Sequence, residues 1–204
     1  MKYLLIIVAI LLLLFSFNKK ETHIKSLNQQ DSILAFGDSL TYGYNTNPSE
    51  SYPAVLNRLS GLKVINAGIP AESSKDGLRR LPKLLEDTRI KLMILFFGGN
   101  DMIQGLSMVS LKTNLKTMIQ MAKEKQIEVL LISVPNLTLF GLSPLKLYEE
   151  VSDEENVPLL SGMLADILDN PSFKSDQIHP NALGYKIMAE KIYESLKENG
   201  LVAH

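Results

Sequence analysis

Hydrophobic positions fall along the chain in two alternating patterns. Short apolar runs at residues 32–36, 63–67, 92–97 and 127–134 each stop at a glycine or proline, as buried strands do. Between them apolar residues recur at helical spacing. They do so within residues 51–59, at Leu78, Leu81, Leu84 and Leu85, and at Leu111, Leu115, Met118, Ile119 and Ala122. A helix is expected near residues 145–155, a short fifth strand at 157–160, and a closing helix over about 182–198, stopped by Gly200. Strands that are continuous apolar runs and alternate with helices predict a three-layer α/β/α domain around a parallel sheet of about five strands. In such a sheet the ligand sits beyond the carboxyl ends of the strands. Asp38 and Ser39, residues 66–71, and Asn100 and Asp101 all follow predicted strand ends.

The two ends of the chain read differently. Lys2 precedes an apolar run at residues 3–17, followed by Asn18, Lys19 and Lys20. As a helix that run would span roughly 22 Å, less than the roughly 30 Å hydrocarbon core of a bilayer. Its length suits the apolar part of an export signal, yet no small-x-small cleavage pattern follows it. Residues 1–20 are therefore expected to be a signal peptide or a short membrane anchor. Residues 21–30 would be a polar linker, and residues 31–204 a single domain. The leader implies export to the periplasm or cell envelope, with membrane association through residues 3–17.

Composition removes several function classes. The formal net charge is −1, from 21 basic and 22 acidic side chains, so no nucleic-acid partner is expected. Cysteine is absent, which excludes disulfides, a thiol nucleophile, thiolate metal sites and an amino-terminal lipid anchor. The three histidines are His23, His179 and His204, and only His179 lies well inside the predicted domain. A multi-histidine metal site is thus not expected, nor is an organic cofactor. The first strand–helix turn lacks G-x-G-x-x-G, and the chain lacks a G-x-x-x-x-G-K-[ST] phosphate loop, which argues against a flavodoxin-like cofactor binder. A monomer is expected.

Three short blocks carry candidate chemistry. Gly37-Asp38-Ser39-Leu40-Thr41 puts a serine just past the first strand, where a neighbouring base would make it nucleophilic. Asp176-Gln177-Ile178-His179-Pro180 puts a carboxylate three residues before the histidine, close enough to fix its tautomer. Gly98-Gly99-Asn100-Asp101 offers a side-chain amide that could donate to an oxyanion. Each block taken alone also reads as an ordinary turn, since Gly, Asp, Asn and Ser are common turn formers.

In combination and in this order, the blocks resemble the SGNH (GDSL-type) hydrolases. Residues 36–44, FGDSLTYGY, look like the first block of that family, GGND at 98–101 like the third, and D-x-x-H-P at 176–180 like the last. Asn66-Ala67-Gly68 and Gly77-Leu78-x-Arg80-Leu81-Pro82 resemble its bacterial lysophospholipase, arylesterase and thioesterase branch. The resemblance implies a serine ester hydrolase working through an acyl-serine, on a small-molecule or lipid acyl ester. Ser39 would be the nucleophile, His179 the base and Asp176 its orienter. The backbone N–H groups of Ser39 and Ala71 and the Asn100 side chain would form the oxyanion hole, with Asp38 and Asp101 bonding loops. Ala71 stands where the branch usually has glycine, and alanine resists positive φ. Leu137, Leu139, Phe140 and Leu142 make the segment from Pro135 to Asn156 apolar, suited to an acyl chain or to anchoring a loop. Competing readings are a deacetylase or O-acetyltransferase acting on cell-envelope glycans, and a non-catalytic binding module on the same fold.

Overall fold

The computed structural model describes residues 27–138, 141–143 and 145–202. The leader and most of the linker, His23, His204, Leu139 and Phe140 lie outside the described residues. The sheet is built from β1 (Ser32–Gly37), β2 (Lys63–Gly68), β3 (Ile90–Phe96), β4 (Glu128–Ile132) and a short strand, Leu159–Leu160. From edge to edge the order is β2, β1, β3, β4 and Leu159–Leu160, all parallel. This is the expected five-stranded α/β fold. All six residues of β1 are buried, as a central strand covered on both faces requires.

Helices cover both faces. On one, α2 (Tyr52–Ser60) packs against α8 (Ala182–Glu198), and α8 against α7 (Met163–Asp169). On the other, α3 (Ser74–Leu84) packs on α5 (Met108–Glu124), and α5 on α6 (Lys146–Glu155). The predicted apolar stripe Leu111, Leu115, Met118, Ile119 and Ala122 is the buried face of α5. Two short helices, α1 (Ser39–Tyr42) and α4 (Gly99–Ile103), follow β1 and β3 directly.

Besides the short α1 and α4, α7 and a hairpin after β4 escape the periodicity argument. α7 has seven residues, too few for a helical period to stand out, and no side-chain hydrogen bond caps its start. It nevertheless buries Met163, Leu164, Ile167 and Leu168. Between β4 and α6 the chain forms a small antiparallel hairpin, β5 (Asn136–Thr138) with β6 (Gly141–Ser143).

The topology creates one crevice. The chain steps from β1 to β2 on one side, then crosses to β3 on the other, so the loops after β1 and β3 diverge at the carboxyl edge. Gly37 at the end of β1 is paired with Gly68 and Phe96. Gly68 lets β2 approach α1: a Cβ there would lie 2.1 Å from the Tyr42 backbone nitrogen. The turn that carries Ser39 therefore sits against bare backbone.

Candidate active site

Ser39 opens α1, a single turn that owes its position to its neighbours. The Asp38 carboxylate caps it, accepting from Leu40 N–H at 3.0 Å, and Gly43 ends it in the left-handed region at φ 89°. His179 reaches Ser39 from the far end of the sequence. Its Nε2 lies 3.0 Å from Ser39 Oγ. Its Nδ1 lies 2.8 Å from Asp176 Oδ2 and 3.1 Å from Oδ1. A carboxylate can only accept here, so the proton sits on Nδ1 and Nε2 is free to accept from the serine hydroxyl.

The loop that presents His179 is stiffened by its own polar groups. Asp176 Oδ1 accepts from the backbone N–H groups of Ile178 at 2.9 Å and His179 at 2.8 Å. Ser175 N–H donates to His179 O, and Lys174 pairs with Pro180 in an antiparallel bridge. Asn45 Nδ2 donates to Asp176 Oδ2 at 2.8 Å, and the Tyr44 ring lies 4.7 Å from the imidazole. Burial draws the Asp176 carboxyl upward, but the hydrogen bonds from Ile178 and His179 outweigh it and hold the group below its ordinary range.

Three further groups face the same cavity. Ser39, Ala71 and Asn100 all line it. Among the described residues, the backbone N–H groups of Ser39 and Ala71 have no acceptor. Ala71 adopts φ 62°, the left-handed conformation expected to be awkward for alanine. Asn100 differs from a free donor. Its Nδ2 lies 3.1 Å from Asp38 Oδ2 and 3.1 Å from Glu72 O, so both amide hydrogens have partners.

The two aspartates bond loops. Asp101 is buried and accepts from Ser74 N–H at 2.9 Å and Ser74 Oγ at 2.5 Å, tying the end of β3 to the start of α3. Asp38 is buried and bonded to Leu40 and Asn100; burial pushes its carboxyl up to about 7. No cluster of three or more His, Asp or Glu suited to a metal occurs among the described residues.

The cavity holds about 810 Å3. Its walls are largely apolar: Leu164 and Leu168 from α7, Val134 and Pro135 after β4, Leu142 from β6, and Met102 and Ile103 from α4. Among the described residues, Lys174 is the one lysine or arginine that lines it. Of the apolar residues in the segment 135–156, Pro135 and Leu142 line the cavity, and α7 joins them; Leu139 and Phe140 lie outside the described residues. Residue type and spacing do not mark Asn45, Glu72 or Arg80 as site residues. Arg80 belongs to the Gly77–Pro82 block, but nothing in the sequence says where its side chain reaches.

A doubly wound α/β domain with a serine, a histidine and an aspartate hydrogen-bonded in series at its carboxyl edge has the layout of a serine hydrolase. The chain belongs to the GDSL-like lipase/acylhydrolase family, whose profile matches residues 35–187. It is 30% identical over 174 residues to thioesterase 1/protease 1/lysophospholipase L1 of Escherichia coli K12, covering 82% of this chain and 84% of that protein. It is 28% identical over 176 residues to the esterase TesA of Pseudomonas aeruginosa, covering 81% and 88%. The psychrotrophic esterase EstA from Pseudoalteromonas sp. shares the fold, with a TM-score of 0.75 at 23% identity, covering 82% of this chain and 97% of that one. The protein is accordingly an ester-hydrolysing enzyme of the GDSL type.

Proposed function

We propose that the enzyme cleaves esters or thioesters of medium or long acyl chains, with Ser39, His179 and Asp176 as its catalytic triad. The observation that carries the reading is the 3.0 Å contact between His179 Nε2 and Ser39 Oγ, with Asp176 on the opposite ring nitrogen. The substrate carbonyl would lie over Ser39 with its acyl chain against Leu164 and Leu168. Ser39 Oγ attacks the carbonyl carbon as its proton passes to Nε2. The negative charge that develops on the carbonyl oxygen is held by the N–H groups of Ser39 and Ala71 and by the Asn100 amide. The tetrahedral species collapses as His179 returns the proton to the departing alcohol or thiol. Water then attacks the acyl carbon while giving a proton to His179, and the second tetrahedral species breaks its bond to Ser39 Oγ, which takes that proton back from His179 as the acid leaves. Asp176 stays ionised and steadies the imidazolium.

The apolar walls favour this substrate class over glycan acetyl groups, which suit a small polar pocket. The serine–histidine–aspartate contacts favour an enzyme over a binding module. The basic start and apolar run of residues 1–20 support export, with residues 3–17 either removed or kept as an anchor. Among the described residues no helix is long and apolar enough to cross a membrane.

The test is turnover of p-nitrophenyl esters from acetyl to long acyl chains by the protein and by Ser39→Ala. Serine-dependent turnover that peaks at medium or long chains is expected. Activity confined to acetyl esters would move the substrate to acetylated glycans, and full activity in Ser39→Ala would remove Ser39 as nucleophile.

A further inference from the structure

Arg80, on α3, makes an unusual set of contacts for a residue outside the triad. Its Nε lies 2.7 and 2.9 Å from the two carboxylate oxygens of Glu72, and its Nη2 lies 2.6 Å from Glu72 Oε2. The same Nη2 donates to Ala67 O at 2.7 Å and to Gly37 O at 3.3 Å. The guanidinium also stacks on the Phe36 ring at 4.4 Å. One planar cation thus joins the end of β1, just before the nucleophile, to the end of β2 and to the loop beyond it. The Glu72 side chain is only 7% exposed, which strengthens a paired charge relative to a surface ion pair.

The loop so held contains Ala71, one residue before Glu72. A left-handed alanine is less stable than the same residue at negative φ, so something must hold it there; the backbone itself contributes a long turn bond, Glu72 N–H to Ile69 O at 3.3 Å, across Pro70 and Ala71. The Glu72 carboxylate is pinned by Arg80, and the Glu72 carbonyl accepts from Asn100 Nδ2. Released from Arg80, the loop can relax Ala71 to negative φ, which would turn its N–H away from the cavity and move the acceptor that orients Asn100.

We propose that Arg80 is a positioning residue for the oxyanion hole: through Glu72 it keeps Ala71 left-handed and Asn100 in register. The inference rests on the reading of Ala71 and Asn100 as oxyanion donors. Arg80 touches no substrate and acts on turnover through the two donors.

The experiment compares Arg80→Met and Arg80→Lys, each alone and combined with Ala71→Gly, with Asn100→Ala alongside. Steady-state kinetics on a p-nitrophenyl ester and the rate of inactivation by a phosphonate ester are the readouts, taken well below each variant's Tm. Arg80→Met is expected to lower kcat by about 10- to 100-fold with KM nearly unchanged, and to slow phosphonylation in parallel. Arg80→Lys keeps the charge without the fork and should fall between. In the Ala71→Gly background the loss should shrink several-fold, because glycine needs no support at positive φ; a role in stability alone would give equal losses in both backgrounds. Equal losses, or a wild-type kcat in Arg80→Met, overturn the proposal. An Asn100→Ala variant with unchanged kcat instead overturns the reading beneath it. If Arg80→Met fails to fold, Arg80→Lys and Glu72→Gln decide by the same comparison.

Discussion

The Asn100 amide and the Asp38 carboxyl meet at 3.1 Å beside Ser39, Asp38 just past β1 and Asn100 in the short α4 that follows the neighbouring β3. With its second hydrogen directed at Glu72 O, Asn100 is held from two sides. It can serve an oxyanion only by sharing or loosening one of these bonds. The bond to Asp38 is the adjustable one, because an ionised carboxylate accepts more strongly than a neutral acid. Asn100→Ala should lower kcat by about 100- to 1,000-fold and leave KM nearly unchanged. Steady-state kinetics with a soluble ester check this, and a rise in KM alone would assign Asn100 to substrate binding.

Asp38 also makes a prediction about stability. Its carboxyl is pushed up to about 7 by burial, above its ordinary 3.8, so the folded protein favours the neutral acid. That contribution is complete below about pH 4 and is lost as pH rises through 7, with a slope of at most about 1.4 kcal/mol per pH unit. Asp38→Asn keeps an acceptor for Leu40 N–H and cannot ionise. Its Tm should therefore decline less between pH 5 and 8 than that of the wild type, and parallel declines would contradict the assignment.

The backbone at Ala71 gives a separate, structural test. Ala71→Gly should leave Tm unchanged or raise it by about 2–4 °C, since relief at φ 62° outweighs or matches the extra freedom of the unfolded chain. Ala71→Val should lower it, because a β-branched side chain is poorly accommodated there. Thermal unfolding of the two variants decides, and a Tm higher for valine than for glycine would show that the loop is not strained.

Asp176 is only partly shielded, at 38% side-chain exposure, so its value lies in geometry. Asp176→Asn should reduce kcat by about 100- to 10,000-fold, as the tautomer of His179 is lost. Asn45→Ala removes one of the bonds that aim the carboxylate and should cost less than about tenfold. Single-turnover acylation rates separate the two, and the opposite ranking would move the orienting role to Asn45.

The wall formed by α7 sets the chain-length expectation. Leu168→Trp should shift the optimum towards shorter esters, losing roughly tenfold or more on long chains while acetyl-ester turnover stays close to wild type. An unchanged chain-length profile would place the acyl chain elsewhere in the cavity.

Much of this arrangement was legible before the structure. β1 and β3 stand out because each is a continuous apolar run ending in glycine, and Ser39 and Asn100 follow them. His179 is recoverable by elimination, as the one histidine well inside the predicted domain, away from its last residue. α7 was not recoverable, being too short to show a period, and its leucines became cavity wall through tertiary placement. Arg80 and Glu72 could not be paired either, since eight residues separate them across a loop whose course depends on a left-handed Ala71. Alanine's resistance to positive φ is readable at Ala71; that an ion pair lies beside it is a matter of three-dimensional contact.

Ser39 and His179 bond across 140 positions of sequence, and Asn45 and Asp176 across 131. His179 lies just ahead of α8, which docks on α2 only when the last part of the chain is in place. With Ser39 and His179 in their proposed roles, a chain that has formed β1 to β4 but not yet docked α8 has a serine without a base. Hydrolysis would then be withheld until assembly is complete. Turnover is for the same reason a gauge of global folding, and it should vanish in urea at the same midpoint as the far-ultraviolet helix signal.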